Sequence, residues 1–377
     1  MPQREYFGLG SVKKIGDIIL RQRAEKVFLV RGRKSYRDSG AKKIIEPLLE
    51  KYLVFQFCDF ESNPKVEDVV RGIDKFKKFN PDLVVAVGGG SVIDMAKAVN
   101  LLAAQTGKPE EYIIGKKEIQ NQGKKLIALP TTFGSGSETT CFAVVYIDKV
   151  KYSLTHKYLL PDYALIAPEL TFNLPKKIAA ESGADALAQA IESYWSVNST
   201  NQSKKYSREA IRLIVGNLSA AVNKLDKEAR AAMCRAAHLA GKAINISQTT
   251  ACHALSYPMT SYFGAPHGQA AVLTLPALLV YNSQIEEKNN LDKRGAKYVK
   301  KTMAGLIKAL GARNVEQAKK KIDNLIREIG LKTKLSELGI GVNGQKIILE
   351  NINLERMKNN PRKLDKKEIE KILINLK

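Results

Sequence analysis

Leu83-Val84-Val85-Ala86-Val87-Gly88-Gly89-Gly90-Ser91-Val92-Ile93-Asp94-Met95-Ala96-Lys97 is the stretch that decides the fold. The apolar run Leu83–Val87 reads as a strand buried on both faces. The glycines and serine that follow open an apolar segment of helical character. Glycine lets a backbone approach a phosphate closely, and the first N–H groups of a helix have no partner inside it. The unit is therefore read as a pyrophosphate-binding turn. A bare Gly-Gly-Gly is also compatible with a tight connection, and the pattern is neither GxGxxG nor a Walker loop. The strand before it and the helix after it favour phosphate.

Working outward, Val27–Val30, Leu53–Phe57 and Leu126–Leu129 read as further buried strands. Residues 64–78 carry the mixed apolar and charged spacing of an amphipathic helix. Buried strands separated by helix-length segments indicate a parallel sheet covered on both faces. Beyond residue 176 strand-like runs nearly vanish, and Ala-, Leu- and Lys-rich segments such as 204–224 and 227–246 read as helices packed on each other. The boundary falls at Leu174-Pro175. The expected fold is an α/β nucleotide-binding domain with a parallel sheet over residues 1–175, then an all-helical domain over 176–377.

Composition narrows the function classes. The 377 residues are 44% hydrophobic, enough for two cores. No apolar stretch approaches the roughly 20 residues of a membrane span, and the start lacks the apolar core of a signal peptide. Four cysteines form no CxxC pair, which fits a reduced, cytoplasmic enzyme. Lysine and arginine exceed aspartate and glutamate by 61 to 38, a net charge of +23. That excess is scattered and accompanies no nucleic-acid motif, so a solvated surface is preferred to a nucleic-acid partner. A positive field still suits a small anionic substrate.

Two further clusters carry chemistry. Leu129-Pro130-Thr131-Thr132-Phe133-Gly134-Ser135-Gly136-Ser137-Glu138 follows a strand, and its hydroxyls and glycines suit either a nucleotide or a plain polar loop. Only four histidines occur. His253 and His267 lie in one glycine- and proline-punctuated segment. Asp185 and Gln189 are one helical turn apart on the segment Gly183–Glu192 and share a face. One carboxylate and two imidazoles suit a divalent transition metal with open positions. A helix cap at Asp185 and satisfied polarity at either histidine are the plainer alternatives.

Together these motifs resemble the iron-containing alcohol dehydrogenase family, within the dehydroquinate synthase-like superfamily. The likeness runs through Gly88-Gly89-Gly90-Ser91-x-x-Asp94-x-Ala96-Lys97, Pro130-Thr131-Thr132-x-Gly134-Ser135-Gly136-Ser137-Glu138, Asp185-Ala-Leu, the two histidines and Asn360-Pro361-Arg362. The resemblance implies a Rossmann-like first domain, a helical second domain and an active site in the cleft between them. It assigns the pyrophosphate of NADPH or NADH to Gly89, Gly90 and Ser91. Along the same coenzyme it places Asp94, Thr131, Thr132, Thr140 and Lys151, with Asn63 near the adenosine end. Asp185, Gln189, His253 and His267 map onto metal-ligand positions for Fe2+ or Zn2+. Two positions depart from the family pattern, Gln189 and Tyr257, where histidines are frequent. At Gly32 the family often has an aspartate that binds the adenosine ribose. Here Arg31-Gly32-Arg33-Lys34 favours a phosphorylated coenzyme. Homodimers are common in the family.

The resemblance also implies the reaction. A hydride passes from the nicotinamide to a carbonyl carbon, and a proton must reach the resulting alkoxide. Tyr257 is the candidate donor, with Asp94 and Lys151 as further catalytic candidates. A phenol of ordinary pKa, about 10, is a poor acid near neutrality, so Tyr257 needs cationic neighbours or else only shapes the pocket. Ala190–Asn198 and His253-Ala-Leu-Ser-Tyr257-Pro are similar to the phosphonoacetaldehyde reductase branch, which makes 2-hydroxyethylphosphonate in phosphonate biosynthesis. Ser153, His156, Lys157, Ser193 and Asn198 are the candidates for holding such an anionic aldehyde. The alternatives are a sulfoacetaldehyde reductase, a general short-chain alcohol dehydrogenase, and a dehydroquinate synthase-like lyase.

Overall fold

The computed structural model describes residues 2–376. The chain divides between Pro175 and Lys176 into two units. In the first, strands β1 (Arg4–Phe7), β2 (Lys26–Arg31), β3 (Leu53–Phe57), β4 (Leu83–Gly88) and β5 (Lys125–Pro130) precede a hairpin of β6 (Phe142–Ile147) and β7 (Val150–Thr155), and β8 (Tyr163–Ile166) closes the series. All but the hairpin form one six-stranded parallel sheet in the order β1-β8-β5-β4-β2-β3. Alternate residues of the central strands enter opposite cores. Val27, Leu29, Val85 and Ile127 belong to one, and Phe28, Val30, Ala86 and Ala128 to the other. Two-sided burial is why these strands read as unbroken apolar runs.

Helix α1 (Val66–Phe79) and helix α2 (Gly90–Ala103) cover the second of these faces. The winding reverses between β2 and β4, since β2 leads outward to β3 and β4 leads the other way to β5. Ligands of open α/β sheets bind outside the carboxyl ends of strands at such a reversal. Arg31 pairs in register with Val87, which brings Gly32 alongside Gly88 at that place.

Four strands are absent from the sequence reading. β1 is half-exposed on the sheet edge, and β8 is only four residues long, so neither presents a long apolar run. β6 and β7 pair only with each other, and Asp148 in their turn adopts a left-handed φ of 54°.

The second unit is helical. Helix α3 (Lys176–Trp195) is buried from Gly183 to Trp195 on every side, as an Ala-rich helix of low amphipathicity must be. Helices α4 (Asn201–Asn223) and α5 (Lys227–Ser247) pack on each other and on α3. Both have the caps that their sequences supply. Thr200 and Ser203 form a capping box on α4, and Asp226 accepts from Ala229 N at 2.7 Å on α5. Helix α6 (Ala251–Phe263) ends at Gly264, with φ 67°, and helix α7 (His267–Leu273) starts directly after Pro266.

The Asn360-Pro361-Arg362 region is a strap. Asn360 and Asn282, both fully buried, exchange reciprocal amide hydrogen bonds of 2.8 and 3.1 Å. Asn359 donates to Thr249 O at 3.0 Å, and its own carbonyl accepts from Val197 N at 3.0 Å. The strap thus joins the end of α3 to the segment that leads into α6. Among the described residues, no helix is long and apolar enough to cross a membrane.

Candidate active site elements

The glycine turn is built as the sequence suggests. β4 ends at Gly88, Gly89 is the extended residue before the helix, and α2 starts at Gly90. A Cβ on Gly90 would come 2.7 Å from Ser135 Oγ, and one on Gly89 would come 3.4 Å from Thr132 Cγ2. The second turn therefore lies directly on the first. Thr131 N donates to Gly88 O at 3.0 Å, and Asn63 N donates to Ser91 Oγ at 3.1 Å. Asn63 holds a left-handed φ of 62° against the glycine turn itself.

Asp94 and Lys97 brace this assembly from α2. The partly buried Asp94 accepts from Ser137 Oγ at 2.5 Å with one oxygen and from Val144 N at 3.0 Å with the other. Burial pushes its carboxyl up, while Lys97, Ser137, Val144 N–H and Lys151 pull it back. Lys151, on β7, is thus close enough to act on Asp94. Lys97 is 1% exposed and donates to Thr140 O, Thr140 Oγ1 and Phe142 O at 2.8, 3.1 and 3.0 Å. Burial lowers its pKa to about 8 against the opposing pull of Asp94, Glu138 and Cys141. Thr140, expected along the coenzyme, is fully buried with its hydroxyl on Lys97.

The basic run after β2 is only partly available. Arg33 donates to Asp59 Oδ1 at 2.5 Å and to Cys58 O at 3.0 Å. Arg31 donates to Gln56 Oε1 at 2.7 Å and lies over the Tyr36 ring. A Cβ on Gly32 would run into Ser35 Oγ, so a side chain there would require the Ser35 hydroxyl to turn away.

In the second unit α3, α6 and α7 bring Asp185, His253 and His267 together, with one potential ligand atom from each lying within 4.8 Å of the others. Asp185 Oδ1 is 3.3 Å from His253 Nε2 and 3.9 Å from His267 Nε2. Gly268 makes the approach possible: a Cβ there would collide with the backbone carbonyl of Glu181, one turn before Asp185. Ser256 Oγ donates to His253 O at 2.8 Å, so at 3.4 Å it can only accept from His267 Nδ1, which leaves Nε2 of that ring for the site. Gln189 Nε2 donates to Asp185 Oδ2 at 2.9 Å, while its buried Oε1 has no hydrogen-bond partner among the described residues. A carboxylate, two imidazole nitrogens and an unsatisfied amide oxygen, with His267 the partly exposed member, fit a divalent metal.

One residue of this centre is missing from the sequence reading. Glu192 is fully buried, and its Oε1 accepts from Thr250 Oγ1 (2.7 Å), Thr250 N (3.1 Å), Cys252 N (2.8 Å) and His253 N (3.4 Å). Its Oε2 meets His253 Nδ1 in a short hydrogen bond. The available signal was spacing: Asp185, Gln189 and Glu192 lie at i, i+4 and i+7, one stripe of α3. Burial pulls the His253 pKa down, yet Glu192 and Asp185 outweigh it and hold the ring up to about 10.

Tyr257 lies beside the cluster, its ring centroid 6.0 Å from that of His267. Of the substrate-pocket candidates, Ser193 is corrected and Asn198 is already paired. Ser193 is fully buried and accepts from Ser247 Oγ at 2.7 Å, and Asn198 Nδ2 is committed to Asn359 Oδ1 at 2.9 Å. Ser193 is part of the helical packing, whereas Asn198 is an exposed residue of the turn beyond α3. His156 accepts from Tyr158 N at 3.3 Å as the cap of a short turn, and Ser153 and Lys157 are exposed nearby.

The chain matches two family models end to end, "Iron-containing alcohol dehydrogenase" over residues 2–168 and "Fe-containing alcohol dehydrogenase family, C-terminal" over residues 179–376. It is 30% identical over 351 residues to long-chain-alcohol dehydrogenase 1 of Geobacillus thermodenitrificans, covering 90% of this chain and 86% of that protein. It is 33% identical over 321 residues to phosphonoacetaldehyde reductase of Streptomyces viridochromogenes, covering 82% and 80%. Among solved structures, sulfoacetaldehyde reductase from Bifidobacterium kashiwanohense in complex with NAD+ superposes with a TM-score of 0.90 at 29% identity, covering 100% of this chain and 97% of that one.

Proposed function

The chain belongs to the iron-containing alcohol dehydrogenase family, and from that premise we propose that it is a metal-dependent NAD(P)H oxidoreductase reducing phosphonoacetaldehyde to 2-hydroxyethylphosphonate. The observation that carries the reaction class is the Asp185–His253–His267 cluster, in a chain that also holds a phosphate-ready glycine turn.

The coenzyme's pyrophosphate would be held by the N–H groups of Gly89, Gly90 and Ser91, where α2 begins. Thr131, Thr132 and Asn63 line the same turn. Asp94 serves it as a brace, since both its oxygens already accept from Ser137 and Val144. Lys97 and, more weakly, Lys151 favour the ionised form of that carboxyl against its burial, and Lys97 also fixes Thr140. Arg31-Gly32-Arg33-Lys34 admits NADPH, with no carboxylate at Gly32 to repel a 2′-phosphate.

Asp185 Oδ1, His253 Nε2 and His267 Nε2 would hold Fe2+ or Zn2+, Gln189 steadies Asp185, and Gln189 Oε1 would offer a weaker fourth oxygen. When bound, such a metal polarises a carbonyl oxygen and stabilises charge developing there. Tyr257, beside His267, is the residue we assign to supply the proton that the product alcohol needs.

The anionic substrate class draws on two relatives, one named for phosphonoacetaldehyde and one for sulfoacetaldehyde, and on the net charge of +23. A general alcohol dehydrogenase is the second reading, favoured by the long-chain relative. Following NADPH and NADH oxidation with phosphonoacetaldehyde, sulfoacetaldehyde, glycolaldehyde and butyraldehyde, after loading with iron(II) or zinc, decides between them. A kcat/KM for phosphonoacetaldehyde at least about tenfold above the others, some 1.4 kcal/mol in the transition state, is the expected result. Equal rates on the neutral aldehydes overturn the narrow reading and leave the general one.

A further inference from the structure

We propose that Glu192 is a positioning residue that determines which nitrogen of His253 faces the metal. The inference rests on the metal reading above and concerns a residue outside the ligand set. Its warrant is a count of donors around one carboxylate.

Oε1 of Glu192 sits at the start of α6 and accepts from the N–H groups of Thr250, Cys252 and His253 and from the Thr250 hydroxyl. The Thr250 hydroxyl has no freedom to turn away, because its oxygen accepts from Trp195 Nε1 at 2.9 Å and its one proton is given to Glu192. Every group around Oε1 is therefore a donor, and that oxygen is held in place by a helix N-terminus. The second oxygen is left facing His253 Nδ1. An ionised carboxylate can only accept, so Nδ1 must carry a proton. The lone pair of the neutral ring then sits on Nε2, the atom that faces Asp185 Oδ1 at 3.3 Å. Glu192 thus couples the cap of α6 to the tautomer of its own third residue.

The contrast with glutamine follows from the same count. In Glu192→Gln the single oxygen must stay with the donors at the helix start, since an amide NH2 there would oppose several N–H groups at once. The NH2 then faces His253 Nδ1 and can only donate to it. The ring proton moves to Nε2, which closes that atom to a metal. An isosteric change that leaves all three ligands in the chain should therefore cost metal affinity.

The test uses full-length protein labelled with 15N-histidine, in which four histidines keep the spectra readable, and zinc(II) as the probe. Two-bond 1H–15N spectra read the tautomer, and competition with a fluorescent chelator reads the Kd. Expected for the zinc-loaded wild type is a proton on His253 Nδ1 and coordination through Nε2. Expected for Glu192→Gln is a proton on Nε2 and zinc binding weaker by about 10- to 100-fold, the usual effect of removing an outer partner of a metal-bound histidine. A wild-type spectrum with zinc on Nδ1 overturns the proposal without any variant, so it stays testable even if Glu192→Gln folds poorly. A folded Glu192→Gln that keeps Nδ1–H and binds zinc within about twofold of wild type also overturns it, while leaving the metal reading intact. Absence of zinc binding by the wild type would instead overturn the metal reading and this proposal together.

Discussion

Gly268 lies directly against the backbone carbonyl of Glu181, with no space for a Cβ between them. This contact joins α7 to α3 one residue after His267 and one turn before Asp185, so it sets the distance between two proposed ligands. Gly268→Ala must push the helices apart. Overpacking of this kind costs about 1–3 kcal/mol, and the displaced His267 should weaken zinc binding by at least about tenfold. Thermal unfolding and chelator competition check both; a variant with unchanged zinc affinity would show that α7 does not position its histidine this way.

At the other site, Gly90 touches Ser135 across the two turns. Gly90→Val fills the place where backbone and phosphate should meet. The KM for NADPH is expected to rise at least about tenfold, equivalent to 1.4 kcal/mol, while zinc binding stays at its wild-type value. Unchanged coenzyme affinity would remove the glycine turn from the binding site.

Arg33 is held by Asp59 in an exposed ion pair. Such pairs contribute roughly 0–1 kcal/mol to stability, so Asp59→Asn should leave the melting temperature nearly unchanged. It releases a guanidinium that suits a 2′-phosphate. The expected change is a several-fold lower KM for NADPH with none for NADH, measured in parallel initial-rate series. Equal changes for both coenzymes would place the ribose elsewhere.

In the metal-free protein His253 has its pKa raised to about 10 by Glu192 and Asp185, against an ordinary value of 6.5. Its protonated ring therefore stabilises the fold fully below pH 6.5, and that contribution is lost as pH rises through about 10. Metal takes the proton's place on Nε2. Melting temperatures measured with a chelator should fall between pH 6.5 and 10, and saturating zinc should flatten the decline. A metal-free profile without slope over this window would contradict the two-carboxylate setting of the ring.

How much of this was legible in the sequence depended on burial and on distance along the chain. Leu83–Val87 is covered on both faces, so its composition declares the strand. Arg4–Phe7 is a half-exposed edge, and its four residues declare little. Asp185 and His253 are recognisable as ligand types at family positions. Glu192 is not, because its role comes from α6 starting against it, and the donors that surround it lie some 60 residues away in sequence. Ser193 misled for the same reason. A serine one place from Glu192 on a helix looks available to a substrate, yet that face of α3 is sealed by Ser247 of α5.

The strap at Asn359 and Asn360 bears on how this protein tolerates truncation. Asn359 is tied to Thr249, two residues before the helix that presents His253, and to Val197, just beyond the helix that presents Asp185. A premature stop codon just before Asn359 would remove the strap but none of the proposed ligands. It would nevertheless untie both segments at the point where each enters the metal site. Truncation alleles that lose the strap should thus behave as metal-binding defects, although every proposed ligand is still encoded.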